Sequence, residues 1–340
     1  MLAGIFRGSK RLSIEEYKLR ELKTNELLIE VGYCGICGTD FHIVEGSAPS
    51  KPPVIIGHEY SGKIVEINNR IDGFNVDDQV VIDPNIHCGY CEYCKRGKIN
   101  HCRNLRALGV TENGGLAQYS IVPASQAYLV PKDFSLQSAA FTEPLSCCVH
   151  GINRSDIKTA DKVAIVGAGP IGLLMLQLVR LNGASKVVII EPTAEKRKIA
   201  KELGADLIFD SNDVGFINEL IELTSGGVDV VFECVGNADA SQTSVRIVKK
   251  SGTVLLFGLP DQTAALSLNL QSLFHKEISL NTSLLNPFTY QTAVDLLVSG
   301  KVSVAKFNPA RIAFENEKLS SLFNNGKDNS VIKYIVLPNN

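Results

Sequence analysis

The sequence predicts an α/β protein in which a β-rich half is followed by a doubly wound parallel sheet. The chain has 340 residues, which is too long for one compact core and indicates two domains. Up to about residue 150, short segments of alternating hydrophobicity are separated by glycine, proline, asparagine and aspartate. Beyond that point, continuous apolar runs alternate with helical periodicity, a pattern typical of repeated βα units.

The β-rich half is predicted from a period of two and from the turn residues between its segments. Long helical periodicity is absent there, so we expect a compact β-barrel or sandwich that carries functional loops. The predicted strands are residues 26–31, 62–67, 79–83, 117–122 and 127–130.

The second half begins with a predicted helix at 144–154, and residues 162–166 then form a continuous apolar run that ends at Gly167. Such a run is typical of a strand buried on both faces, as in a parallel sheet. Further helices are predicted at 171–181, 194–203, 215–224 and 238–248, with strands at 186–190, 206–209, 228–232 and 253–257. The remainder of the chain predicts helices at 290–297 and 317–323 and a last strand at 331–337.

Composition and charge narrow the class of partner. The sequence is 45% hydrophobic and 21% charged, and its formal net charge is −2. This charge gives no reason to expect a nucleic acid or an anionic membrane as a partner. Neither a signal peptide nor a membrane-spanning run is visible in the sequence, so we expect a cytoplasmic location.

Residues 167–172 read GAGPIG, a GxGxxG motif between the apolar run and an apolar helix. This context is the one that a dinucleotide-binding turn needs. Gly167 would permit the tight turn, Gly169 would let the backbone approach a diphosphate, and Gly172 would pack the helix on the strand.

The choice of cofactor depends on Glu191, which ends the next predicted strand. A carboxylate at this point accepts hydrogen bonds from a ribose diol and repels a 2′-phosphate. The sequence therefore predicts NAD rather than NADP, although Lys196 and Arg197 lie close by and weaken the preference.

Four of the nine cysteines lie close together, at Cys88, Cys91, Cys94 and Cys102. In a long chain without a secretion signal, this spacing indicates a metal site rather than disulfides. Four thiolates complete a tetrahedral zinc site, which leaves no position for a substrate and would be structural. An iron–sulfur cluster is the competing interpretation.

A second candidate metal site consists of Cys37, His58, Glu59 and Glu143. Sulfur and nitrogen donors suit zinc, and a catalytic zinc keeps one position open for water or substrate. Glu143 lies at the junction of the two halves, so a metal bound there would face the cleft between the domains. Asp40 is either a hydrogen-bond partner of a zinc-bound histidine or a turn carboxylate.

Taken together, these motifs resemble those of the zinc-dependent medium-chain dehydrogenases, and within them the polyol (sorbitol) dehydrogenase group. The resemblance rests on GICGTDFH, GHE, the four-cysteine lobe, TEPLSCCVHG and GAGPIG, and it covers nearly the whole chain. It implies a GroES-like β-barrel catalytic domain formed by residues 1–145 and 286–340, with a structural zinc lobe at 84–104. It also implies a Rossmann NAD-binding domain at residues 146–285.

The resemblance further implies roles for individual residues. Cys37 and His58 match the catalytic zinc ligands of the family. Glu59 matches a glutamate that enters the coordination shell or lies behind it, and Glu143 matches a direct ligand or one that acts through the metal-bound water.

A proton path and several cofactor contacts are implied in the same way. Thr39 matches the hydroxyl that receives the substrate proton, and His42 matches the relay residue nearer to solvent. The implied cofactor contacts are Ile171, Gly258 and Leu259, with Lys333 near the cofactor phosphates.

The activity implied by the resemblance is reversible oxidation of a secondary alcohol to the ketone, with NAD as hydride acceptor. The substrate would be a sugar alcohol or a polyol phosphate. An L-threonine 3-dehydrogenase or a simple alcohol dehydrogenase is the alternative, because GTDFHI also resembles L-threonine dehydrogenases. The family further implies a homo-oligomer, either a tetramer or a dimer.

Overall fold

The computed structural model describes residues 1–339, within which the chain forms eighteen strands and eleven α-helices. The strands are β1 (Leu2–Phe6), β2 (Leu12–Glu16), β3 (Glu26–Ile36), β4 (Val54–Ile55), β5 (Glu59–Ile67), β6 (Gln79–Ile82), β7 (Asn85–Ile86), β8 (Arg106–Ala107), β9 (Tyr119–Pro123), β10 (Ala127–Val130), β11 (Lys162–Val166), β12 (Lys186–Ile190), β13 (Leu207–Phe209), β14 (Val228–Glu233), β15 (Val248–Leu256), β16 (Ser279–Thr282), β17 (Ala310–Ile312) and β18 (Tyr334–Val336). The helices are α1 (Gly38–Glu45), α2 (Glu92–Lys95), α3 (Leu136–Ala139), α4 (Thr142–Ser155), α5 (Pro170–Leu181), α6 (Ala194–Glu202), α7 (Phe216–Leu223), α8 (Ala238–Ile247), α9 (Leu270–Lys276), α10 (Tyr290–Val298) and α11 (Asn316–Asn325). None of these helices is both long enough and apolar enough to cross a membrane.

The chain divides into two compact units. The first comprises Met1–Ser146 together with the chain from Asn286 onward, and the second comprises Cys147–Leu285. The first unit is therefore built from two separate segments of sequence, whereas the second is continuous.

The second unit contains one six-stranded sheet in the order β13-β12-β11-β14-β15-β16. All five strand pairs are parallel, which confirms the predicted doubly wound sheet. The central strand β11 is buried on both faces, since Val163, Ala164 and Ile165 have no exposed surface. Its continuous apolar run thus has a direct physical cause.

The first unit contains a seven-stranded sheet with the path β10-β6-β5-β3-β18-β17, and β9 pairs with β3. Along β3 the side chains of Leu27, Ile29 and Val31 are fully buried and alternate with partly exposed ones, as a half-buried strand requires. A three-stranded sheet, β2-β1-β4, and the β7–β8 hairpin complete the strands of this unit. The predicted β-rich half is confirmed.

The prediction lacks the short elements β1, β2, β4, β7, β8, β16, β17, α2, α3 and α9, and three further elements also differ from it. The short helix α1 lies inside the β-rich half, where the sequence shows no long helical periodicity. It has only eight residues, and it is fixed by local capping rather than by an extended apolar face. The strand predicted at 253–257 begins earlier, at Val248, and the strand predicted at 331–337 is reduced to Tyr334–Val336.

A polar network joins the two segments of the first unit. Asn286, where the chain returns to this unit, donates from Nδ2 to Ser146 Oγ at 2.9 Å and to Asp83 Oδ1 at 3.3 Å. Its Oδ1 accepts a hydrogen bond of 2.8 Å from Asn85 Nδ2. Ser146 in turn donates to the carbonyl oxygen of Glu143 at 2.6 Å. The network therefore links the end of β6 to the first turns of α4.

The protonation of Asp83 should make stability depend on pH. Burial raises the pKa of Asp83 from 3.8 to about 6, so the folded chain favours the protonated acid. The stabilising contribution is complete below about pH 4 and is lost as the pH rises through about 6. At pH 7 and above, Asp83→Asn should therefore raise the free energy of unfolding by up to about 3 kcal/mol over wild type, and near pH 4 the difference should vanish.

Denaturant unfolding between about pH 4 and about pH 8 measures this difference. The matched control is Asp72→Asn, since the Asp72 side chain is 94% exposed, and this variant should follow wild type at every pH. A stability difference for Asp83→Asn that is independent of pH would contradict the assignment.

Candidate functional site

Three neighbouring strands of the first unit converge on Cys37. β3 ends directly before Cys37, and in the antiparallel pair of β3 with β5 the residue opposite Gly35 is Glu59. On the other edge of β3, β18 places Ile335 opposite Gly35. The segments that carry Glu59 and Lys333 therefore flank the segment that carries Cys37.

Cys37, His58 and Glu59 bring their ligand atoms within 4.8 Å of one another. His58 and Glu59 are buried, and Cys37 is partly exposed. A thiolate, an imidazole and a carboxylate are ligands that zinc commonly uses, so the donor set fits this ion. Glu143 lies outside this group of three, buried in the first turn of α4.

Asp40 contacts both Cys37 and His58. It has no exposed surface, and its Oδ2 accepts a 2.7 Å hydrogen bond from the backbone N–H of Cys37. Its Oδ1 lies 3.4 Å from Nδ1 of His58, and neither of these atoms has a hydrogen-bond partner in the described chain. Because Nδ1 faces Asp40, Nε2 is the nitrogen left for a metal, as in other carboxylate–histidine pairs.

The charges around His58 suit a cation. Burial alone would lower the pKa of His58, but the negative charges of Asp40 and Cys37 outweigh it and raise this pKa well above its ordinary value. A histidine that gains a proton under such conditions can exchange it for a metal ion, because metal binding and proton release are coupled.

Lys333 is a further member of the group around Cys37. Its side chain is only 5% exposed and forms an ion pair with Oε2 of Glu59. Its predicted place near the cofactor phosphates stays a prediction. Burial lowers the pKa of Lys333, but the negative charges of Glu59 and Cys37 raise it by a larger amount. The pKa of Lys333 therefore lies above its ordinary value. The acidic groups of Cys37, Asp40 and Glu59 still outnumber this one buried lysine, so a divalent cation would balance them.

Lys327 is a second basic residue near the site, and no local motif could have identified it. Its Nζ lies 4.5 Å from the centre of the Phe41 ring. Phe41 belongs to α1, directly after Asp40, so Lys327 adds positive charge beside the candidate ligands. Lys327, like Lys333, is brought near the candidate ligands by tertiary packing of a distant segment of the chain.

Helix α1 carries the predicted proton path. Cys37 is its N-cap and forms a reciprocal capping box with Asp40. Thr39 Oγ1 lies 3.8 Å from Cys37 Sγ, and His42 follows three residues later, on the same face of the helix. Nδ1 of His42 lies 3.0 Å from Ser47 Oγ. A hydroxyl and an imidazole thus follow the candidate metal ligand along one helical turn.

The four cysteines of the lobe gather as predicted. All four sulfur atoms lie within 4.8 Å of one another, with Cys91 to Cys94 at 3.5 Å and Cys88 to Cys94 at 4.0 Å. A tetrahedral zinc with Zn–S bonds of about 2.3 Å places its sulfurs about 3.8 Å apart. These separations fit one ion better than an iron–sulfur cluster, which spreads the thiolates over several irons.

The lobe has little apolar material of its own. Within the predicted lobe, residues 84–104, only Pro84 and Cys102 are buried. Its secondary structure consists of the β7–β8 hairpin at its base, the one-turn helix α2 and a short 3₁₀ turn. A metal bound to the four thiolates would therefore supply the stabilisation that a hydrophobic core supplies elsewhere.

The glycine turn of the second unit has the geometry that a dinucleotide needs. Gly167 has φ of 97°, and Gly169 is the N-cap of α5. A Cβ atom on Gly172 would collide with the carbonyl oxygen of Gly167, so helix and turn pack tightly there. A Cβ atom on Gly169 would meet nothing within 4 Å, so the backbone is open to a ligand at this point.

Glu191 follows β12 and contacts the glycine turn directly. Its Oε2 accepts a 2.7 Å hydrogen bond from the Ala168 N–H, and its Oε1 accepts one of 3.0 Å from Thr193. Arg197 donates to the carbonyl oxygens of Glu191 and Pro192 and forms a 2.8 Å ion pair with Asp210. The other residues predicted to bind the cofactor are placed as follows: Ile171 and Lys196 in the first turns of α5 and α6, and Gly258 and Leu259 in the turn after β15.

Comparison with known protein families gives two matches. Residues 23–132 match the alcohol dehydrogenase GroES-like domain, and residues 170–299 match the zinc-binding dehydrogenase family. The GroES-like part of the predicted fold is thereby confirmed.

Individual proteins match along most of the chain. A sorbitol dehydrogenase of Halalkalibacterium halodurans is 34% identical, over 87% of this chain and 87% of its own. A D-arabitol-phosphate dehydrogenase of Enterococcus avium is 32% identical, over 87% and 86%. An L-threonine 3-dehydrogenase of Pyrococcus abyssi is 34% identical, over 82% of each. A protein of Sinorhizobium meliloti, described as a zinc-binding dehydrogenase and solved with NADP, superposes with a TM-score of 0.95 at 36% identity and covers 99% of both chains.

Metal analysis should separate the two groups of ligands. Wild type should contain about two zinc ions per chain. Cys37→Ser should lose one ion and stay folded, because the surrounding sheet is held by its own core. Cys91→Ser should also lose one ion, but its melting temperature should fall by about 5 °C or more, because the lobe depends on the metal.

Elemental analysis and thermal unfolding of the same samples provide the measurement. The control is Cys234→Ala, since this cysteine lies outside both groups, and it should retain both ions. Iron in place of zinc, or two ions in Cys91→Ser, would overturn the assignment of the lobe.

Proposed function

The chain belongs to the zinc-binding dehydrogenases with an alcohol dehydrogenase GroES-like domain, and from this premise we propose that it catalyses the reversible NAD-linked oxidation of a sugar alcohol or polyol phosphate to the ketone. The membership confirms the family and the class of enzyme that the sequence motifs predicted. The observation that carries the proposal is the convergence of Cys37, His58 and Glu59 at the ends of the strands.

Cys37 and His58 are the proposed zinc ligands, with Glu59 or Glu143 as the acidic partner. Glu59 is favoured as the direct ligand because it already lies with Cys37 and His58, whereas Glu143 lies outside that group. When bound, zinc would supply Lewis acidity that stabilises negative charge on the substrate oxygen. Asp40 would hold the orientation of His58, and Lys333 would offset the charge of Glu59.

Thr39 and His42 are the proposed proton path. The Thr39 hydroxyl lies beside the candidate ligand Cys37 and would accept the proton of the substrate hydroxyl. His42 lies one turn further along α1 and is partly exposed, so it can pass a proton to solvent. NAD, when bound, would accept the hydride, and the protein would contribute orientation and charge.

NAD is the proposed cofactor in preference to NADP. The Glu191 carboxylate lies against the glycine turn, where it would meet the ribose diol and repel a 2′-phosphate. The Arg197 guanidinium is engaged by two carbonyl oxygens and by Asp210, so it is a poor candidate for binding that phosphate. NADP, which is bound by the Sinorhizobium meliloti protein, is the alternative.

A homo-oligomer, either a dimer or a tetramer, is also part of the proposal. β16 is the last strand in the order of its sheet, and the side chains of Leu280 and Leu284 are 41% and 49% exposed. A strand edge with exposed apolar side chains beside it is a surface that readily pairs with another chain. The cytoplasmic location stays a prediction.

The substrate can be tested by following NADH formation with sugar alcohols, their phosphates, L-threonine and primary alcohols. We expect turnover of at least one sugar alcohol or polyol phosphate. Thr39→Val should lower kcat by about 100-fold or more without loss of zinc, because it removes the hydroxyl that accepts the proton. Activity restricted to L-threonine would favour the relationship to L-threonine 3-dehydrogenases instead.

The cofactor preference can be tested with Glu191→Gln, which keeps an oxygen for the Ala168 N–H but removes the charge. The ratio of kcat/KM for NAD to that for NADP should fall about tenfold or more relative to wild type. Glu195→Gln is the matched control, since Glu195 is exposed in the first turn of α6, and its ratio should equal that of wild type. An unchanged ratio in Glu191→Gln would contradict the role of this carboxylate.

A further inference from the structure

The strand order of the second unit defines where a ligand can bind. β11 lies in the centre of the sheet, with β12 on one side and β14 on the other. The chain leaves β11 towards β12 and later returns to the opposite side at β14, so the order reverses between β11 and β14. In open α/β sheets, ligands bind in the crevice outside the carboxyl ends of the strands at this reversal.

Two turns border the crevice on the side of β14, and one residue holds both. Glu233 is the last residue of β14 and is 1% exposed. Its Oε1 accepts hydrogen bonds of 2.7 Å from the N–H groups of Val235 and Gly236. Its backbone carbonyl oxygen accepts bonds of 2.9 Å from Phe257 and Gly258, in the turn after β15. The side chain and the main chain of Glu233 therefore fix the two turns, 234–236 and 257–259, together.

The two turns pack without spare room. Gly236 has φ of 85°, and a Cβ atom there would collide with the carbonyl oxygen of Leu259. A Cβ atom on Gly258 would collide with the backbone nitrogen of Gly236. A shift of one turn would therefore displace the other.

The glycine turn after β11 belongs to the same assembly. A Cβ atom on Gly167 would lie 2.8 Å from Cγ2 of Val235, so the 234–236 turn reaches across the reversal point. Val235 and Leu259 are nevertheless 47% and 54% exposed, although both are large and apolar. One apolar side chain from each turn is thus presented at the edge of the crevice.

Glu233 is an unusual residue to bury for stability alone. No ion pair to its carboxylate exists within the described part of the chain, and a buried carboxyl group without a cation is costly. Burial raises its pKa, and the two backbone N–H groups offset this only in part. An apolar side chain would fill the position at lower cost, but it could not hold the 234–236 turn.

We propose that Glu233 is a positioning residue for the nicotinamide half of the cofactor, acting by fixing the 234–236 and 257–259 turns at the reversal of strand order. The inference rests on the proposed dinucleotide-dependent function. It concerns one half of the cofactor, because Glu191 and the glycine turn lie on the β12 side, where the adenosine half would bind.

Binding titrations of NADH and AMP, followed by fluorescence or calorimetry, test the inference without the need for turnover. Glu233→Ala should weaken NADH about tenfold or more, because two backbone hydrogen bonds of the turn are lost. AMP, which lacks the nicotinamide half, should bind as it does to wild type. Glu233→Gln retains an acceptor oxygen for both N–H groups and should bind NADH within about threefold of wild type.

The matched control is Asp229→Ala, at the opposite end of the same strand. Asp229 accepts a 2.9 Å hydrogen bond from the Lys162 N–H and pairs with Lys249, so its loss should lower the melting temperature. Its affinity for NADH should nevertheless stay that of wild type. Glu233→Asp, which shortens the side chain, should weaken NADH in the same direction as Glu233→Ala and replaces that variant if it does not fold.

Three results for the variants would overturn the inference. They are an unchanged NADH affinity in Glu233→Ala and Glu233→Asp, an equal weakening of AMP in those variants, or an equal weakening of NADH in Asp229→Ala. Wild type that binds AMP but not NADH would overturn it too. Wild type that binds neither ligand would instead remove the proposed function on which it rests.

Discussion

The register between β3 and β5 is the constraint on which the candidate active site depends. Gly35 lies opposite Glu59, and a Cβ atom on Gly35 would lie 2.5 Å from Oε2 of Glu59. Glycine thus lets the Glu59 carboxylate and Lys333 lie against the strand that leads to Cys37. A slip of one residue turns every side chain of a strand to the opposite face of the sheet. A change of register would therefore separate the Cys37 thiol from the Glu59 carboxylate, and the two could no longer bind the same metal ion.

The two candidate metal sites depend on the fold in opposite ways. Cys37, His58 and Glu59 lie at the ends of strands in a sheet that has its own core, and Asp40 orients two of them without any metal. The four-cysteine lobe has almost no buried side chains, so there the ion would hold the chain together. In the first site the fold would position a metal, whereas in the second a metal would stabilise the fold.

Much of the second unit could be predicted from the sequence, because strands buried on both faces appear as continuous apolar runs. The start of β15 is misplaced, and α9 and β16 are not predicted. The strands at 162–166 and 186–190 have the predicted bounds. In the first unit, six of the twelve strands within residues 1–339 could be located from the sequence, and the other six are short, with two to five residues each. The position of β18 beside β3 could not be predicted, since pairing between distant segments leaves no local signal. The same reason hid the ion pair of Lys333 with Glu59. The contacts of Arg197 with backbone carbonyls likewise depend on a helix orientation that a motif does not encode.

The first unit is built from two segments, and this affects the order in which the chain can fold during synthesis. Residues 147–285 form a continuous unit that is synthesised in full before β18 emerges. Until translation passes β18, Glu59 lacks its Lys333 partner, and residues 34–36 of β3 lack a strand on the edge whose residues 26–30 pair with β9. A metal centre at Cys37, His58 and Glu59 would therefore gain its full surroundings only late in synthesis. A chain released too early carries an uncompensated buried carboxylate beside Cys37.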